Sequence, residues 1–157
     1  CVLLCRRVLC GMDETFDAVE IGTRREFGSY EVTREEIVSF AQQYDPQPYH
    51  VDEQAARESM FGELVASGWH TTAMTMRVLV DSYLNDSGAL GSPGVNELRF
   101  RNPVTPGDVL SVQAEHTGKE VWDDQRGLVY TDVTTTNQND DAVLTMEAMG
   151  LYPRARE

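Results

Sequence analysis

Hydrophobic and polar positions change period several times along this 157-residue chain, and each change marks an element. Glu26-Phe27-Gly28-Ser29-Tyr30-Glu31-Val32 alternates and predicts a first strand. Thr33 then stands three residues before Glu36 as a capping box, and Ile37, Phe40, Ala41 and Tyr44 recur at helical spacing as the inner face of a helix. Pro46 and Pro48 end that helix, because each fixes φ and pushes its predecessor toward extended backbone; Asp45 to His50 is therefore a stiff turn. Asp52 starts a short helix through Ala55, Ala56 and Ser59, which Phe61-Gly62 ends. From Ser67 a longer helix carries Ala73, Met76, Val80 and Tyr83 on one face with Met74, Val78 and Leu79 beside it, a stripe too wide for a surface helix.

Asn85 to Gly94 is rich in Gly, Ser, Asn and Pro and reads as a loop. Four alternating runs follow. Val95–Asn102 turns Leu98 and Phe100 inward with Arg99 and Arg101 opposite; Val109–Thr117 alternates Leu110, Val112 and Ala114. Leu128–Thr136 alternates Val129, Thr131 and Val133, and Val143–Leu151 alternates Leu144, Met146 and Ala148. The links between them are short enough for antiparallel hairpins. One early strand, a buried helix and a meander make an α+β fold, an antiparallel sheet wrapped around a central helix.

Charge sharpens that picture. The chain holds 26 Asp and Glu, yet none falls between Leu64 and Val80, which places the central helix in the interior on all sides. A net charge of −13 argues against nucleic acid or an anionic membrane surface as partner. Lys119 is the one lysine beside twelve arginines, a balance resembling proteins of salt-accumulating halophiles, where molar salt screens self-repulsion. Compactness should then be lost at low salt.

All three cysteines lie in the first ten residues, at steps that match no common zinc spacing. With none after Met12, a reducing cytoplasm is the expected compartment and catalysis through cysteine is excluded from the main domain. Residues 1–11 read as an upstream segment and 12–157 as a single domain, with Met12 to Arg25 a mobile, acidic lead-in.

The chemistry concentrates at Asp45-Pro46-Gln47-Pro48-Tyr49-His50, where a carboxylate and an imidazole five residues apart sit on a stiff backbone suited to proton transfer. Ser67-Gly68-Trp69-His70 opens the central helix, whose first amides lack intrahelical partners; Gly68 either lets a ligand carbonyl approach them or only makes a tight turn. His50, Asp52 and His70 invite a metal reading, but Asp52 is better explained as an N-cap and the ligand set is thin. His70 is structural or pocket-lining, and His116 faces solvent.

The order of acid, Pro and His, then Ser-Gly and a buried helix, resembles the MaoC-like (R)-specific enoyl-CoA hydratase/dehydratase family of the hot-dog fold. That family carries an Asp-x-Asn-Pro-x-His signature; here Gln47 replaces the Asn and Tyr44 stands where Gly often precedes the Asp. The resemblance runs from about Phe27 to Leu151 and includes Leu98-Arg99-Phe100-Arg101-Asn102-Pro103-Val104-Thr105-Pro106-Gly107-Asp108. It implies reversible hydration of a trans-2-enoyl-CoA to an (R)-3-hydroxyacyl-CoA, with Asp45 and His50 catalytic. Gly68, Ser67, Gln47, Tyr49 and Trp69 would form the oxyanion and substrate-binding positions. Arg77, Arg99 and Arg101 are candidates for binding coenzyme A phosphates, while Arg99 and Arg101 equally read as a solvated strand face paired with nearby acids. The resemblance requires no metal or redox cofactor, since the coenzyme A thioester is the substrate, and it implies a homodimer or an assembly of dimers. Two rivals stand beside it, a hot-dog acyl-CoA thioesterase and a non-catalytic subunit that binds acyl thioesters.

Overall fold

The computed structural model describes residues 14–155; the expectations for residues 1–11 and for Met12 lie outside them. Strand β1 (Arg24–Glu31) leads into helix α1 (Arg34–Tyr44), the single-turn α2 (Pro48–Val51), the short α3 (Glu53–Glu58) and the long α4 (Gly68–Ser82). Strands β2 (Gly91–Phe100), β3 (Val109–Val121), β4 (Arg126–Thr136) and β5 (Ala142–Pro153) complete one antiparallel sheet in the order β1-β3-β4-β5-β2. The sheet curves around α4, the hot-dog arrangement expected. No helix among the described residues is long and apolar enough to cross a membrane.

The core is where the alternations meet. Leu110, Val112, Val133, Leu144 and Met146 on the inner face of the sheet pack with Met74, Val78 and Leu79 of α4, and Ile37 of α1 closes one side. Each such side chain contributes roughly 1.5–3 kcal/mol by leaving water. Both predicted N-caps form: Thr33 Oγ1 accepts from the Glu36 amide and Asp52 Oδ1 from the Ala55 amide.

Several expectations are overturned. Helix α4 buries Thr71, Met74, Thr75, Val78 and Leu79, while Ala73 and Met76 face outward. Apolar periodicity misses this face because its threonines satisfy themselves: Thr75 Oγ1 donates to the Thr71 carbonyl at 2.9 Å and lies 2.7 Å from Thr135 Oγ1. The acid-free stretch is thus buried on one side only. Tyr44 is 71% exposed at the end of α1, its ring leaning on Phe40. Phe100 is half exposed, since a register shift between Asn96 and Arg99 breaks the alternation of β2 before it.

His116 is only 2% exposed. Period two puts it on the same face as Leu110, Val112 and Ala114, and its ring bonds Thr131 Oγ1 through Nδ1 and Arg25 Nη1 through Nε2. An arginine N–H only donates, so Nε2 accepts and Nδ1 carries the proton. The lead-in is not loose from residue 14 onward: Phe16–Ala18 form a 3₁₀ turn, and Phe16 and Val19 pack on Val129 and Tyr152 as a second small core. Residues 85–94 hold the end of a further 3₁₀ turn, Leu84–Asp86, and the start of β2.

Candidate active site

Helix α1 stops at Tyr44 because Asp45-Pro46 cannot continue it, and Pro48 restarts helical backbone at the first position of α2. That single turn, which the sequence suggested only as a stiff loop, swings His50 inward beneath Asp45. His50 is buried, whereas Asp45 stays partly open to a cleft. His50 Nδ1 lies 2.7 Å from the Val65 carbonyl oxygen and therefore donates its proton there. Nε2 faces the other way, 3.4 Å from Asp45 Oδ2.

Both carboxylate oxygens of Asp45 are bonded. Ser67 Oγ donates to Oδ2 at 2.6 Å and Gln47 Nε2 donates to Oδ1 at 2.8 Å. Tyr49 extends the chain by donating its hydroxyl to Gln47 Oε1 at 2.5 Å. The Ser67 bond, helped by Gln47 and by the charge that His50 carries when protonated, holds the Asp45 carboxyl below the usual carboxylate range against the opposing effect of burial. Asp45 is thus an anion at neutral pH, with the His50 ring beside it.

These groups open on a cleft of about 650 Å³ at the N-terminus of α4. Gln47, Tyr49, Ser67, Gly68 and Trp69 also line it, so the predicted positions converge on one place. Gly68 is the first residue of α4, where helix amides have no intrahelical partner and the dipole is positive. A Cβ on Gly68 would lie 2.4 Å from the ring of Phe100, so only glycine fits beneath that ring. Trp69 meets Phe100 edge-on, and the pair walls the mouth.

The arginines separate. Arg101 lines the cleft, where its Nε donates to Thr145 Oγ1. Arg77 pairs with Asp81 and Arg99 with Glu97, both exposed and outside the cleft lining. His70 lies apart too, stacked on Phe40 with Nε2 3.5 Å from Glu36 Oε1, and burial pushes its pKa down. Val65, Thr71, Phe100 and Asn102 join the lining without having been singled out. Val65 acts through its backbone carbonyl, which leaves no signature in a side-chain pattern. A second cavity of about 340 Å³ lies farther along α4, walled largely by apolar side chains including Met76, Leu79, Val133 and Met146.

The family model of the MaoC-like domain matches residues 17–139. The crystal structure of a MaoC-like dehydratase from Rhodospirillum rubrum superposes with a TM-score of 0.83 at 36% identity, covering 91% of this chain and 99% of that one. An R-hydratase from Pseudomonas aeruginosa superposes with a TM-score of 0.70 at 26% identity, covering 91% and 88%. The 3-hydroxybutyryl-CoA dehydratase of Methylorubrum extorquens is 28% identical over 147 residues, covering 90% of this chain and 86% of that protein. With the matched domain spanning most of its length, the chain belongs to the MaoC-like domain family.

Proposed function

We propose that this protein adds water reversibly to a trans-2-enoyl-CoA, giving the (R)-3-hydroxyacyl-CoA. The observation that carries the reading is the pairing of Asp45 Oδ2 with His50 Nε2, 3.4 Å apart and facing one cleft at the start of α4. In the working form the ring is neutral, and the carboxylate and Nε2 together hold a water by its two protons. His50 Nε2 takes one of them as the water oxygen bonds Cβ, and the π electrons move through Cα onto the thioester oxygen. The Gly68 amide, at the positive end of α4, meets that developing charge. The ionised Asp45 stabilises the imidazolium until its Nε2–H returns the proton to Cα. Oxygen and hydrogen then come from one face of the site, which makes the addition syn. No other nitrogen of His50 exchanges protons, because Nδ1–H is bonded to the Val65 carbonyl.

The naming of the R-hydratase and the 3-hydroxybutyryl-CoA dehydratase supports the same reaction class. Arg101 at the cleft offers a cation for a coenzyme phosphate. Half-exposed Trp69, Met76, Val95 and Phe100 on α4 and the edge strand β2 support the expectation of a homodimer or an assembly of dimers. The test is incubation with crotonyl-CoA and chiral separation of the product. The (R)-3-hydroxybutyryl thioester is expected; the (S) product would contradict the proposal.

A further inference from the structure

The segment from Leu64 to Ser67 is buried along its whole length and touches both candidate catalytic groups. Its Ala66 amide donates to the Val104 carbonyl at 2.8 Å, which pins it to the loop after β2. Its Val65 carbonyl takes the His50 Nδ1–H. Its last residue, Ser67, is 0% exposed and uses one hydroxyl twice: the proton goes to Asp45 Oδ2, and the oxygen accepts from the Trp69 amide as the N-cap of α4. A hydroxyl with its proton engaged on a carboxylate has none left to offer a substrate.

We infer that Ser67 is a positioning residue that acts through Asp45, tying the carboxylate to the helix end that carries the Gly68 amide. This inference rests on the hydration reading and refines it. The residue sets three things with one oxygen: the direction of Oδ2 toward His50, the ionisation of Asp45, and the distance between the anion and the first amides of α4. Gln47 is the weaker partner, since it holds the other oxygen from an exposed position.

The test compares Ser67→Ala, Ser67→Gly and Ser67→Thr in the full chain. Glycine is nearly as good an N-cap as serine, so Ser67→Gly removes the hydroxyl while leaving helix α4 supported. Two readings are taken: the side-chain carboxyl titration of Asp45 by carbon NMR, identified by its loss in Asp45→Asn, and the pH dependence of kcat and KM with crotonyl-CoA. The Ala and Gly variants should raise the Asp45 titration and move the acid limb of kcat upward. They should also lower kcat by roughly 10- to 100-fold, the range for a hydrogen bond to a charged group, with KM little changed. Ser67→Thr should restore both readings. An unmoved Asp45 titration in Ser67→Gly overturns the inference, as does a rise in KM with kcat kept, which marks a substrate-binding hydroxyl. A wild-type protein inactive on enoyl thioesters would sink the hydration reading, and the titration alone would then decide the role of Ser67.

Discussion

Replacing Asp45 with Asn removes one charge while keeping shape, and its effect follows from distance. Asp45 Oδ2 lies 3.4 Å from His50 Nε2. At that separation an anion and an imidazolium attract by about 5 kcal/mol at an effective dielectric of about 20. The cleft is open to water beside Asp45, so about half of that, roughly 2.5 kcal/mol, is a better guide; it corresponds to a fall in kcat of about 60-fold. The amide can still bond Ser67 and Gln47 after a flip of either amide group, so the fold should hold. The assay follows the conjugated thioester absorbance of crotonyl-CoA at saturating substrate, with a thermal melt of each variant as the folding control. His50→Ala should lower kcat at least as far, and the double variant should be little worse than the poorer single one, because in the proposed reaction the two groups act on one water. Wild-type kcat in Asp45→Asn would refute the charge argument.

Burial holds the imidazoles of His70 and His116 below their ordinary value, with the Arg25 charge adding to the effect at His116. The unfolded chain then binds more protons, so the stability is full above about pH 6.5 and is lost as pH falls below it. Chemical denaturation at about pH 7.5 and about pH 5.5 should record that loss, and His116→Gln should lessen it; a flat profile contradicts the burial. Asp45 works in a lower window: its depressed carboxyl lends stability above the ordinary carboxylate range that disappears only in acid. Gly127→Ala would put a Cβ 2.0 Å from the Phe16 ring, so it should dislodge the N-terminal turn at a cost of about 1–3 kcal/mol. Faster amide exchange across residues 14–22 checks this, and unchanged exchange would show that the ring has room elsewhere.

The site was legible in sequence where chemistry and backbone stiffness coincide in a few adjacent residues. Asp45 and His50 stand out because two prolines fix the chain between them, and Gly68 because a helix start follows it. Val65 was not legible, since a carbonyl oxygen has no residue type. Ser67 was visible as a polar residue near the site, but the direction of its hydroxyl depends on a fold contact 22 residues away in sequence. For the fold, alternation carried the strands well. It failed at Phe100, where a bulge changes parity, and on α4, where buried threonines read as polar. At His116 the alternation was right and the polarity of the side chain misled, because the partners that satisfy it, Thr131 and Arg25, come from other strands.

The most direct test of hydration mixes the protein with a short trans-2-enoyl-CoA and follows two signals together, loss of the conjugated thioester absorbance and release of free thiol. Loss of conjugation without thiol is the expected result, because water adds at Cβ and the thioester survives. Thiol release would contradict it by moving the attack to the carbonyl carbon, and silence in both signals would point either to an unusual acyl group or to a binding role without turnover.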